Sequence, residues 1–136
     1  MNMKENYTHK NRHKYYLKCH LIFCTKYRRK ILLGNLDDDI KAIFQSIADN
    51  SDFSIDIMET DKDHIHFLIS YPPNLSVTSI VRKLKQECTV KAWKLHGDSL
   101  REFFWKEKTL WSDGYFVCSI GEASPNTVRE YIRQQG

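Results

Sequence analysis

The stretch from Phe53 to Tyr71, FSIDIMETDKDHIHFLISY, decides how this chain folds. Its first half alternates: Phe53, Ile55 and Ile57 face one way, and Ser54, Asp56 and Met58 the other. That period of two belongs to a strand with one buried face. Thr60 to Asp63 is polar and reads as a tight turn, after which His64 to Tyr71 alternates again. The whole predicts a β-hairpin, which Pro72-Pro73-Asn74 then ends. Upstream, Leu36, Ile40, Ile43, Phe44 and Ile47 recur at helical spacing and predict a helix over Leu36–Asn50, with Asn35 as its N-cap. Asp37, Asp38 and Asp39 suit the positive end of that helix dipole. Downstream, Val77, Ile80, Val81, Leu84, Cys88 and Leu95 form the buried stripe of a second helix over Ser76–Leu95.

The outer parts complete the pattern. Tyr15 to Thr25 (YYLKCHLIFCT) has no breaker and reads as a long buried strand. Residues His96 to Asp113 read as a packed but irregular connection, and Tyr115 to Ile120 as a fourth strand ended by Gly121. Ser124-Pro125, a cap followed by proline at the first helical position, opens a last helix through Tyr131 and Gln135. The order is β-α-β-β-α-β plus a C-terminal helix. This predicts an α+β, ferredoxin-like sandwich on an antiparallel sheet, in one domain over residues 1–136 with a basic arm at 1–14. Such a fold supports many functions, so function has to be read from a site.

Composition narrows the classes. The 136 residues carry 21 Lys+Arg against 17 Asp+Glu, a net charge of +4. That excess is mild, but it is clustered: Lys26, Arg28, Arg29 and Lys30 surround Tyr27, and Arg82, Lys83 and Lys85 form a second group. The bland reading of both groups is a solvated face; were the partner a nucleic acid, Arg28, Arg29, Lys30, Arg82, Lys83 and Lys85 would be its candidate phosphate contacts, with Tyr27 and Trp111 as candidate stacking rings, a core role for Trp111 being equally open. No apolar run approaches a membrane span, and the N-terminus has no apolar signal region, which predicts a cytoplasmic protein. Cys19, Cys24, Cys88 and Cys118 form no C-x-x-C pair, and those flanking His20 lie in an apolar run, so they read as core thiols.

Two constellations could carry chemistry. His64 and His66 lie two apart on a strand and point to one face, so their imidazoles can converge on a divalent ion. Tyr131 and Gln135 share a face of the last helix, with Val128 and Ile132 on the apolar stripe. Each alone has a bland explanation, since H-x-H is common by chance and a surface Tyr often packs its ring on the body. Together they describe a weak, nearly uncharged metal site beside a tyrosine nucleophile, a combination that can cut a phosphodiester and later reverse the cut. No glycine-rich nucleotide loop is present, so no nucleotide cofactor is expected.

Four segments resemble the signatures of the insertion-sequence 200/605 family of HUH-type single-tyrosine transposases. They are Lys26-Tyr27-Arg28-Arg29-Lys30, Thr60 through His66, Leu110 through Phe116, and Val128 through Gln135. The resemblance implies that His64, His66 and Gln135 ligate magnesium or manganese. It implies that Tyr131 forms a 5′-phosphotyrosine on single-stranded transposon ends bearing hairpins. It also implies a homodimer with joined sheets, for which the strand over Tyr15–Thr25 is the expected joining edge. Because Gly136 directly follows Gln135, fraying of the last turn is expected to weaken that third ligand. Two alternatives stand beside this reading: a domesticated HUH nuclease acting on chromosomal hairpin repeats, and a non-catalytic ferredoxin-like nucleic-acid-binding module.

Overall fold

The computed structural model of the chain describes residues 17–119 and 125–134. Four strands, β1 (Leu17–Cys24), β2 (Ser54–Asp61), β3 (His64–Tyr71) and β4 (Phe116–Ser119), form one antiparallel sheet in the order β2-β3-β1-β4. Helix α1 (Gly34–Asp49) joins β1 to β2, α2 (Val77–Arg101) joins β3 to β4, and α3 (Pro125–Gln134) follows β4. This is the split β-α-β arrangement that the element order predicts. The expected basic arm at 1–14, Tyr15, Ile120, Gly121, the Ser124 cap and Gln135 lie outside the described residues. Among the described residues no helix is long and apolar enough to cross a membrane.

One face of the sheet carries the core. Leu21 and Phe23 of β1 and Ile65, Phe67 and Ile69 of β3 alternate onto it and meet Ile40, Phe44 and Ile47 of α1 and Ile80, Leu84 and Cys88 of α2. Its centre is aromatic: Phe44 meets Phe67 edge-on at 4.9 Å, and Phe23 meets Phe67 at 5.2 Å. Trp111 packs on Phe23 and Phe44 and is buried, which assigns it to the core rather than to a stacking surface.

Several expectations are corrected. The strand β1 is not a joining edge: β3 and β4 occupy its two sides, and the edges of the sheet are β2 and β4. The predicted turn is shorter, because β2 continues through Thr60 to Asp61 and the reversal falls on Lys62, whose φ is +51°. A bulge between Ile55 and Ile57 changes the phase of β2. Ile57 is therefore exposed and Met58 packs on the core, the reverse of simple alternation. Helix α1 starts at Gly34, whose φ of +56° turns the chain out of the Leu32–Lys62 bridge, and Leu33, not Asn35, precedes it as cap. Helix α2 is capped by Ser76, whose hydroxyl accepts the Ser79 N–H at 3.1 Å. It runs past a kink at His96 to Arg101, because Ala92, Trp93 and Leu100 extend the buried face. Leu95, expected on that face, is exposed.

Candidate active site

The other face of the sheet holds the candidate chemistry. Residues of even number on β1 and β3 share it, and the register sets Cys24 opposite His64, Ile22 opposite His66 and His20 opposite Leu68. On the far side of β1, Phe116 of β4 pairs with Ile22. A row of His66, Ile22 and Phe116 therefore crosses three strands. Ile22 and Cys24 are fully buried although they point away from the main core, so this face has a small packed layer of its own. The Tyr131 ring of α3 lies on Phe116, with 5.2 Å between ring centres. Tyr131 thus faces the sheet, while Gln135, expected to share its helix face, lies outside the described residues.

Each histidine has a definite partner. His64 Nδ1 is 3.0 Å from Asp63 Oδ1. A carboxylate accepts only, so Nδ1 donates to it and Nε2 is the nitrogen left to face a ligand. Asp63 is itself buried and receives Arg28, whose Nε and Nη2 lie 3.1 and 3.0 Å from its Oδ2. Burial works to raise the Asp63 carboxyl, but the hydrogen bond from His64 and the Arg28 guanidinium hold it below the usual range. His66 Nε2 is 2.8 Å from Nδ1 of His20, and the two rings are nearly parallel with centres 5.0 Å apart. Burial, then the neighbouring His20, lower the His66 pKa against an opposing pull from Glu59, so the ring is neutral near pH 7. Neutral imidazoles are what a divalent cation requires.

Two imidazoles on one face, one of them oriented by a carboxylate, fit a divalent ion in their donor chemistry. Among the described residues no third His, Cys, Asp or Glu joins them in a cluster able to hold a metal. The expected third ligand, Gln135, falls outside the described residues. The Tyr131 hydroxyl is buried and has no hydrogen-bond partner among the described residues. Burial, and then the nearby Cys24, push its pKa further above the ordinary phenol value. Cys24 is no competing nucleophile, since burial and Asp63 push its thiol up to about 11.

The expected DNA contacts divide. Arg28 is committed to Asp63, while Arg29 and Lys30 beside it are exposed. On α2, Arg82 is exposed and Lys83 lines a shallow hollow with Leu75 and Ser79. Lys85 turns inward: its ammonium donates to the carbonyls of Ser112 at 2.7 Å and Gly114 at 2.9 Å and clamps the entry to β4. Sequence reasoning missed His20 and Asp63. His20 has the strand parity of Ile22 and Cys24, and Asp63 immediately precedes the H-x-H, so both signals were present.

A family model described as "Transposase IS200 like" matches residues 13–135. The ISDra2 transposase TnpA of Deinococcus radiodurans is 31% identical over 121 residues, covering 89% of this chain and 85% of that protein. The transposase for insertion sequence element IS200 of Salmonella typhimurium is 29% identical over 118 residues, covering 87% and 76%. A crystal structure from Deinococcus radiodurans R1, described as a transposase, superposes with a TM-score of 0.81 at 27% identity, covering 89% of this chain and 92% of that one. The REP-associated tyrosine transposase bound to a REP hairpin shares the fold, with a TM-score of 0.55 at 14% identity over 85% and 62% of the chains. With a match that runs through β1, the histidine strand and the tyrosine helix, the chain belongs to the IS200-like transposase family.

Proposed function

We propose that this protein cleaves and rejoins single-stranded DNA at hairpin-bearing transposon ends, using Tyr131 as nucleophile and a divalent metal, Mg2+ or Mn2+, as its cofactor. The observation that carries the reading is the row His66–Ile22–Phe116, with the Tyr131 ring resting on its end. It sets a buried phenol, without a hydrogen-bond partner among the described residues, on the same sheet face as both histidines. His64, His66 and Gln135 would hold the ion. When bound, it would polarise the scissile phosphate as a Lewis acid.

The steps belong to the side chains. Arg28 and Asp63 fix the His64 ring, and His20 fixes His66, so the donor pair is oriented before DNA arrives. The Tyr131 oxygen attacks phosphorus and the bond to the 3′-oxygen breaks, while the phenol's proton passes through solvent to that oxygen, which departs as a free hydroxyl. The resulting 5′-phosphotyrosine conserves the phosphodiester's energy, so a later 3′-hydroxyl can attack it and release the phenol. Arg29, Lys30, Arg82 and Lys83 would supply phosphate contacts, which position the strand without reading sequence. Two copies would join through an edge strand, β2 or β4, since β1 is interior.

The test is cleavage of a labelled single-stranded element end, with and without Mg2+ or Mn2+, by wild type and by His64→Ala and His66→Ala. Metal-dependent cutting that both variants lose, with DNA binding retained, supports the reading. Normal cutting by either variant overturns the metal assignment, and tight binding without any cutting assigns the chain to the non-catalytic class. The REP-hairpin protein carries its DNA description for itself alone. Substituting a chromosomal hairpin repeat for the element end separates a mobile element's enzyme from a domesticated relative.

A further inference from the structure

Exposed apolar side chains scattered singly are ordinary, but several gathered in one patch mark a binding surface. Tyr27 is 64% exposed, Trp105 69% and Phe103 39%. All three line one hollow of about 480 Å³, together with Phe104, Arg29, Lys106, Glu107 and Thr109. We infer that this hollow is a base-stacking subsite: it takes one unpaired nucleotide of the DNA strand, the base against the Tyr27 and Trp105 rings and the phosphate against Arg29 and Lys106. The inference rests on the proposed single-stranded substrate and adds a place where that strand is gripped away from the histidines.

Both walls are built rather than incidental. Tyr27 and Arg28 have φ of +58° and +51°, the left-handed region that non-glycine residues seldom enter, and here two enter it in succession. Such a conformation persists only where its surroundings hold it. Here the Thr25 hydroxyl donates to the Arg29 carbonyl at 2.7 Å, and the Lys26 N–H donates to the Leu110 carbonyl at 2.8 Å. The second bond also ties the Tyr27 turn to the opposite wall. That wall is anchored by the buried Phe104 and Leu110 and by Thr109, whose carbonyl accepts the Trp93 indole N–H at 2.8 Å. On either side of Phe104, Phe103 and Trp105 are displayed outward. The same turn touches the candidate active site, since the Thr25 N–H donates to the Asp63 carbonyl and Arg28 pairs with the Asp63 carboxylate that holds His64.

The charge identifies the occupant. Lys106 Nζ lies 4.9 Å from the centre of the Trp105 ring, and Arg29 Cζ lies 5.9 Å from that of Tyr27. Cations paired with exposed rings are the composition of single-strand sites, where every base offers a π-face and every linkage a negative charge. A second copy fits less well, because a two-fold contact through this patch would bring its own cations together.

Trp105 supplies its own readout, since Trp93 and Trp111 are buried and Trp105 is not. Full-length protein is titrated with oligothymidylate and with an abasic strand of equal length, following tryptophan emission. Oligothymidylate should quench and the abasic strand should not. With affinities of wild type and variants read by fluorescence anisotropy of an end-labelled oligothymidylate, Trp105→Ala and Tyr27→Ala should each weaken binding by about fivefold or more, the low end of one base–aromatic stack. Trp105→Phe should recover most of that loss, and Leu95→Ala, an exposed apolar side chain of α2, should leave binding unchanged. Equal quenching by both strands, or undiminished affinity of Trp105→Ala, overturns the subsite. So does a change in sedimentation of DNA-free Trp105→Ala, which would assign the patch to a contact between copies. A wild type that cuts DNA but fails these tests loses only the subsite, and one that binds no single strand loses the functional reading as well.

Discussion

Replacing Tyr131 with Phe should separate stability from activity. The Tyr131 hydroxyl is buried without a hydrogen-bond partner among the described residues, while its ring packs on Phe116. An unsatisfied buried hydroxyl costs about 1–3 kcal/mol, so removing it while keeping the ring should be neutral or stabilising by about 1 kcal/mol. For a chain of this length that corresponds to a rise in Tm of roughly 3–5 °C. Tyr131→Ala, which also removes the ring from Phe116, should lower Tm instead. The assay is thermal unfolding of metal-free protein by circular dichroism, run beside strand cleavage. Tyr131→Phe is expected to melt at or above the wild-type temperature and to cut nothing. A fall of several degrees would show that the hydroxyl has a partner in the resting protein, and the reasoning that it is buried unsatisfied would be wrong.

Three further predictions follow from other parts of the fold. His20→Phe keeps a ring beside His66 but removes the nitrogen that holds it, so Mn2+ affinity measured by titration calorimetry should fall about 10–100-fold; unchanged affinity would refute a positioning role. At the β2 bulge, Met58→Ala should destabilise by about 1–2 kcal/mol in urea unfolding while Ile57→Ala stays within about 0.5 kcal/mol; the reverse order would mean that β2 keeps simple alternation. Asp56 gives a pH signature: burial works to raise its carboxyl, but hydrogen bonds from Ser70, Lys18 and Ser54 hold it below the usual range. Its stabilisation is therefore present above the unfolded value of about 3.9 and is lost as pH falls through the lower folded value, so Asp56→Asn should flatten stability below about pH 4, and an unaltered acid limb would refute the linkage.

The histidine strand could be read to the residue, because His64 to Tyr71 alternates without interruption and is bounded by polar and proline signals. Where sequence reasoning went astray, long-range contacts had overridden a local pattern. The β2 bulge exchanges the faces of Ile57 and Met58, and only its pairing with β3 reveals it. Helix α2 outruns its apparent end because Leu100, beyond the kink, is buried in the core, and His96 at the kink bonds Asp39 of α1 at 2.6 Å. The central place of β1 could not be deduced from its apolar character, since strand order is a property of the whole sheet. At the site, the spacing of His64 and His66 was visible, but the partner that each ring would choose was not. Lys85 reads as one of a row of surface cations, yet three backbone carbonyls, which no charge pattern can show, take it inward.

The central claim is that Tyr131 becomes covalently joined to DNA. Protein incubated with a labelled single-stranded element end and Mn2+ is denatured and digested, and the peptides carrying nucleotide are sequenced by mass spectrometry. The account predicts one phosphodiester-linked peptide, spanning residues 130–133 and modified on Tyr131, which disappears with chelator and in Tyr131→Phe. A DNA-linked peptide from any other residue, or cleavage that proceeds with no covalent peptide at all, would contradict it.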